Sequence, residues 1–273
     1  MYRMSNPVYK DTANASSRNI NVNLNYLWDG SEWIPQSSST SSEGYILGNA
    51  NDSIHKFGNN PSVSNSVSIS SPETVWDGAS KYEFPPDSGT GIQVKSSSNQ
   101  DAQEVIVQGL DSNFLTQSWT GNLGGTGDVN IPGSWSRVYR AYNNGSVNFS
   151  GTVDIHASGS ATSYAKIIGA NNQTLMSIYT IPSNYSGYIM GYNLSAQNTS
   201  SSSEIGFAIQ LKTREYGKVL RTRETVSVNT SSSTSNQFTF PIKLEPKTDI
   251  VFDVIGANGN NGSVNASFDV ALL

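Results

Sequence analysis

The chain has 273 residues, of which 36% are hydrophobic and 14% charged; its net charge is −5 and it contains no cysteine. So few charges, with Ser, Thr, Asn and Gly filling the gap, exclude a charge-rich disordered protein and a helical bundle. The acidic balance leaves no global attraction for nucleic acid, and the lack of cysteine removes disulfides, thiol catalysis and cysteine-based zinc sites.

The opening stretch MYRMSNPVYKDTANASS has no apolar signal-peptide core, and no apolar run approaches membrane-spanning length. Synthesis in a cytoplasm without a membrane partner is expected. The Asn-X-Ser/Thr triplets at Asn144, Asn148, Asn184 and Asn193 are those expected by chance in a chain this rich in Asn and Ser.

Residues 1–70 are polar, broken by turns and without helical period. They read as an extended arm, too poor in apolar residues to order alone. The arm carries one hairpin, YLWDGSEWIP at 26–35. Asp-Gly favours a tight turn, because glycine reaches positive φ cheaply. The motif recurs as TVWDGASKYEFP at 74–85. In both copies aromatics flank the turn (Trp28 and Trp33; Trp76, Tyr82 and Phe84) and Pro35 or Pro85 ends it. Two aromatic hairpins are the expectation.

Beyond residue 70 the alternation of a half-buried strand becomes clean. VKSSSNQDAQEVIVQGLD predicts two strands around a polar loop. GSVNFSGTVDIHAS places Val147, Phe149, Val153, Ile155 and Ala157 on one face. QTLMSIYTIP predicts a strand stopped by Pro182, and SGYIMGYNLSA predicts another. Ile205, Phe207, Ile209 and Leu211 alternate before the REYGK turn, and Phe238, Phe240, Ile242 and Leu244 alternate after it. TDIVFDVIGA is apolar on both faces, as a central strand should be. Val264, Ala266, Phe268, Val270 and Leu272 close the chain with one more alternating strand. The expected fold class is all-β: an extended N-terminal arm (1–70) followed by two small antiparallel β-sandwich or jelly-roll-like domains, 71–160 and 161–273.

Candidate chemistry is sparse. The only histidines are His55 and His156. Asp154 and His156 share a strand face, yet no Gly-X-Ser-X-Gly accompanies them. The carboxylates Asp101, Glu104, Glu215 and Glu224 show no glycosidase-like pairing. GNLGGTGD lacks the helix and lysine of a phosphate loop. NANDS and NGNNGS offer loop oxygens fit only for an adventitious calcium. No catalytic residue, cofactor or metal is predicted. Two clusters remain. Lys212, Arg214, Lys218, Arg221 and Arg223 read as a solvated edge hairpin or as a docking patch for an acidic protein surface. Trp119, Trp135, Tyr139 and Tyr142 read as core, with Trp119 and Trp135 as candidate glycan-stacking residues.

The order of the segments ETVWDGASKYEFP, SSSNQDAQEVIVQGLDSNF, WSRVYRAY, NNQTLMSIYTIPSNYSGYI and FTFPIKLEPKTDIVFDVIGANGNNGSVNASFDVALL resembles a family of virion structural proteins of tailed bacteriophages, the marine and cyanobacterial ones especially. The resemblance spans about 71–273 and carries no catalytic residue. It implies a non-enzymatic virion protein, most simply a capsid decoration or cement protein. A tail, baseplate or fibre component, with a host glycan as partner, is the alternative. The implied partners are further copies of the chain, in a homotrimer, and other virion proteins, with no nucleic acid and no membrane. LWDGSEWIP resembles a short hairpin of other phage particle proteins. The expected assembly contacts are Tyr26, Trp28 and Trp33 on the arm, with Lys212, Arg214, Arg221 and Arg223 on the body.

Overall fold

The computed structural model describes residues 25–28, 33–36, 46, 50–198 and 204–273. The chain divides into two units, Met1–Thr40 and Ser41–Leu273. In the first, β1 (Asn25–Trp28) pairs antiparallel with β2 (Trp33–Gln36), and Trp28 stands opposite Trp33. The first Trp-Asp-Gly copy is thus flanked by a strand pair. Residues 29–32 and the side chains of Tyr26, Trp28 and Trp33, expected to make assembly contacts, lie outside the described residues.

The second unit is built from antiparallel strands. In chain order they are β3 (Asp52–Val63), β4 (Glu73–Thr74), β5 (Thr90–Ser96), β6 (Glu104–Asp111), β7 (Thr116–Asn122), β8 (Val129–Asn143), β9 (Val153–Ala157), β10 (Ser163–Ile167), β11 (Ile178–Thr180), β12 (Gly187–Asn198), β13 (Gly206–Arg214), β14 (Arg221–Asn229), β15 (Ser232–Leu244), β16 (Asp249–Ala257) and β17 (Gly262–Leu272). One 3-10 turn, Gly169–Asn171, interrupts them. A front sheet runs β10-β9-β5-β8-β6-β7. A middle sheet runs β11-β16-β13-β14, with β4 added on β16. An outer sheet runs β15-β12-β17-β3.

The front sheet bends back on itself through β8. The first half of β8 pairs with β5 and its second half with β6, and Trp135 stands in both registers. Gly133, at φ 94°, lets the strand turn this corner. Tyr82 closes the fold by inserting between β8 and β10; its hydroxyl lies 3.0 Å from the Tyr164 carbonyl and 3.4 Å from that of Val138. The rolled sheet encloses Val94, Val105, Val107, Ile131, Val153, Ile155 and Ile167.

The middle and outer sheets make a sandwich around Ile189, Leu194, Phe207, Ile209, Phe252, Val264, Phe268 and Val270. Strand β16 serves both cores. Ile250, Phe252 and Val254 join the sandwich core, whereas Val251 joins the core of the front sheet. The body is therefore three layers of antiparallel sheet, and the all-β, sandwich-like expectation holds.

Three local expectations are corrected. Residues 52–63, placed in the arm, form an edge strand paired along its length with β17. The inward positions of β3 include Lys56, Gly58 and Asn60, so it shows no apolar alternation. A Cβ on Gly58 would come 2.2 Å from the Ser177 nitrogen, so β3 is pressed onto the 175–177 segment as only glycine allows. In consequence the C-terminal sandwich takes strands from before residue 75, and the front sheet runs on to Ile167. The second Trp-Asp-Gly copy is a turn rather than a hairpin. Trp76 bridges to Met176, and the Asp77 carboxylate accepts from the Leu175 amide at 2.8 Å. The aromatic ladder survives without strand pairing, with Trp76–Tyr82 and Tyr82–Phe84 ring centroids 5.1 and 5.0 Å apart, edge to face. Finally, Val147 lies outside β9 and is exposed, so the Val147–Ala157 alternation begins only at Val153.

Candidate functional site

The basic cluster expected to form one patch is divided by the fold. Lys212 and Arg214 lie on β13, on the face of the middle sheet that meets the front sheet. Lys212 Nζ is 3.0 Å from Asp253 Oδ2, and Thr74 Oγ1 donates to Asp253 Oδ1 at 2.7 Å. Arg214 Nε donates to Asp249 Oδ2 at 2.7 Å. Asp249, 1% exposed, also accepts from Arg137 Nε at 2.6 Å and Nη2 at 3.0 Å, and from Thr180 Oγ1 at 2.5 Å. Arg137 comes from β8 of the front sheet and reaches Asp87 as well, at 2.7 Å. Phe84 lies between the two guanidiniums, 5.2 Å from Arg137 and 4.5 Å from Arg214. Lys212 and Arg214 are therefore tied to carboxylates of their own sheet at the junction, where Arg137 makes the ion pair that crosses to the front sheet, and they are not offered to a partner. Arg221 and Arg223 stay exposed. Arg221 is 3.9 Å from Glu215, and Arg223 Nε donates to Thr213 Oγ1 at 2.6 Å.

The aromatic candidates are divided too. Trp135 is 1% exposed, with its indole N–H on the Pro132 carbonyl at 3.1 Å; a fully buried ring cannot stack on a glycan. Trp119 on β7 is half-buried against the front-sheet core.

The polar candidates do not converge. His156 is buried, with Nε2 3.2 Å from Asp128 and Nδ1 3.0 Å from the Ala157 carbonyl; Asp154 pairs with Ser163 instead. His55 pairs with Asp269 at 2.6 Å on the outer sheet. Asp101 accepts from Ser96 Oγ at 2.5 Å and from the Ser150 and Gly151 amides at 2.8 and 2.9 Å. Burial pushes its carboxyl up, but these hydrogen bonds outweigh burial and leave it below the usual range. Glu104 holds Asn144, and Glu224 faces Asn236 at 3.3 Å. Among the described residues no group of three or more His, Asp or Glu could hold a metal. No described helix is long and apolar enough to cross a membrane.

Two surfaces remain. The first is formed by β14 and β15, the consecutive edge strands of the middle and outer sheets, whose side chains are mostly exposed. Ile189 of β12 pairs with Ile242 and Gly191 with Gln237, so Phe238–Pro241 bulge out opposite Met190. The bulge breaks the predicted alternation. Phe238 packs on Tyr192, with centroids 5.9 Å apart, whereas Phe240 is 81% exposed. The second is a groove of about 480 Å³ over the outer sheet, lined by Asn193, Ser195, Asn265, Ser267, His55 and Phe57.

Sequence reasoning did not single out Arg137, Asp249, Asp253 or Phe240. A signal for the acids was present: Asp249 and Asp253 stand in an apolar stretch, at the spacing that puts both on one strand face. An acid inside a central strand needs a buried partner.

No protein-family model matches the chain, and no curated protein matches it. Among solved structures, an isomalto-dextranase of Arthrobacter globiformis T6 complexed with panose is similar at 12% identity and a TM-score of 0.24, covering 69% of this chain and 33% of that one. Infectious bursal disease virus, Gt strain, is similar at 12% identity and a TM-score of 0.20, covering 82% and 76%. The chain thus spans about a third of the isomalto-dextranase.

Proposed function

We propose that the chain is a non-enzymatic structural protein of a tailed-bacteriophage virion, a capsid decoration or cement protein that associates with itself and with other particle proteins. The observation that carries this reading is the exposed edge strand β15 of the outer sheet, a long polar strand bearing Phe240, 81% exposed, on a four-residue bulge. A bulged edge resists indiscriminate strand addition, and an apolar knob standing clear of it suits burial in a neighbour's pocket. The ionic groups support the same reading, since Lys212, Arg214, Arg137, Asp249 and Asp253 are engaged with one another inside the body, Arg137–Asp249 joining the front and middle sheets. The Met1–Thr40 unit serves as the attachment arm, adding strands or burying aromatics on assembly.

The test is particle composition. Particles assembled with the chain lacking residues 1–40, or carrying Phe240→Asp, should lose the protein in mass spectrometry of purified virions, while the isolated variants keep their fold. Full occupancy by both variants refutes the reading. A solution mass of three chains tests the trimer.

The second reading, a tail or fibre component that binds a host glycan, is favoured by the outer-sheet groove with its amides, hydroxyls and the partly exposed Phe57 ring. A glycan-array signal lost in Phe57→Ala, with particle occupancy unaffected by the two variants above, would select it.

A further inference from the structure

We propose that the cleft between β3 and β8 is a binding site for a small oxyanion, the carboxylate or phosphate group of a polar ligand, held between Lys56 and Arg140. The cleft has a volume of about 520 Å³. Lys56 and Asp52 of β3 line one side, Tyr139 and Arg140 of β8 another, with Gln108 and Gln173 beside them.

Lys56 is unlike the other buried cations of the body. Arg137, Arg214 and Lys212 each meet an aspartate within 3.0 Å. Lys56 is 8% exposed, and its one hydrogen-bond partner among the described residues is the Tyr139 carbonyl. An ammonium has three donors, so two remain for a ligand. Arg140, exposed at the mouth of the cleft, also lacks an ion pair among the described residues; its guanidinium lies 4.7 Å from the Tyr142 ring centroid. Two cations that form no ion pair among the described residues therefore share one cavity, which Asp52 also lines. A buried charge without a counterion is costly, and its opposite charge is the cheapest remedy.

The titration of Lys56 agrees with this geometry. Burial, and then the neighbouring Arg140 charge, lower its pKa from 10.5 to about 7. The titratable groups that line the cleft with Lys56 are Arg140 and Tyr139 on β8, Tyr179 on β11, and Asp52 and His55 on its own strand, the last paired with Asp269. A bound oxyanion opposes both causes of the depression, so its binding draws a proton onto Lys56. The linkage has a sign: at pH 7 about half of the Lys56 amines are neutral, and binding takes up protons. At pH 5 they are already charged, and uptake vanishes.

The test is calorimetric titration of the full chain with inorganic phosphate, with glucuronate and with acetate, at constant ionic strength, in two buffers of different ionisation enthalpy. The expected result is a dissociation constant of about 1 mM or tighter for at least one probe. It is accompanied by uptake of about half a proton at pH 7 and none at pH 5. Arg140→Gln should weaken binding at least about fivefold, and Lys56→Met should abolish both binding and uptake while melting no lower than the parent chain. Preference for glucuronate over phosphate assigns a carboxylate ligand, and the reverse a phosphate. Absence of binding, equal weak binding of all three probes, or binding with proton uptake unchanged in Lys56→Met overturns the proposal.

Discussion

Asp249→Asn should be the most damaging isosteric change in the body. The carboxylate accepts from Arg137, Arg214 and Thr180 where the front and middle sheets meet, and it is 1% exposed. Asparagine keeps the shape but removes the charge, and turns an NH₂ group toward guanidiniums that also only donate. Arg137 keeps Asp87, at 2.7 Å, whereas Arg214 keeps no other ion pair among the described residues. Stranding a buried cation costs about 3–5 kcal/mol. For a body of this size that corresponds to a fall in Tm of roughly 6–20 °C. Denaturant unfolding of the parent, Asp249→Asn, Arg214→Met and the double variant closes a cycle. The double variant should lose less than the sum of the singles, because removing Arg214 also removes a charge that the Asp249→Asn change would strand. A loss below about 1 kcal/mol for Asp249→Asn, or strict additivity, would show that water already solvates the network and that it does not join the layers.

Two buried groups set opposite pH trends. Asp77 is raised from 3.8 to about 7, chiefly by burial, so its ionised form weighs on the native state increasingly between those values. Relative to the parent, Asp77→Asn should therefore gain about 3–5 kcal/mol between pH 4 and pH 8, read from urea unfolding at each pH. Lys56 is lowered from 10.5 to about 7, so its protonated form weighs on the native state below pH 7 and is relieved as pH rises to 10.5. Lys56→Met should accordingly stabilise most at pH 6 and least at pH 10; the opposite order refutes the assignment. Gly58→Ala should cost at least about 2 kcal/mol, because its Cβ would meet the backbone of two segments, at Val75 and at the Met176–Ser177 peptide, rather than a flexible side chain. Phe240→Ser should change stability by less than about 0.5 kcal/mol, since 81% of that ring is already in water, while altering assembly.

The strands most legible in the sequence are those in which burial alone chooses the residues. Phe207, Ile209 and Leu211, and Val264 to Leu272, alternate into the sandwich core as their spacing predicts. TDIVFDVIGA sits between β11 and β13, buried along most of its length. Strand β3 is illegible because long-range pairing with β17 and contact with the 175–177 segment select it, and its inward Lys56, Gly58 and Asn60 carry no hydrophobic signal. The basic cluster misleads for a related reason. Alternation gives the face of a residue but not what covers it, and the face carrying Lys212 and Arg214 is covered by a second sheet rather than by water. The second Trp-Asp-Gly copy reads locally as a hairpin, yet Asp77 finds its partner in Leu175, about a hundred residues on.

The middle sheet explains why so few charges sit where they do. A sheet buried on both faces would ordinarily be apolar on both. Here one face of β16 is Ile250, Phe252 and Val254, while the other alternates Asp249, Val251 and Asp253. Apolar contact alone is non-directional and tolerates sliding of one sheet over another. A carboxylate that must meet Arg137 from β8 and Arg214 from β13 permits a single placement, because any slip leaves a buried charge unpaired. The ionic face therefore fixes the relative position of front sheet and sandwich, and the apolar face supplies cohesion. Lys56 lies at the edge of this junction, against Tyr139 of β8, and differs in one respect: among the described residues it has no carboxylate partner. In a body that otherwise matches its deeply buried cations to carboxylates, that exception is best understood as a position left for an anion supplied from outside.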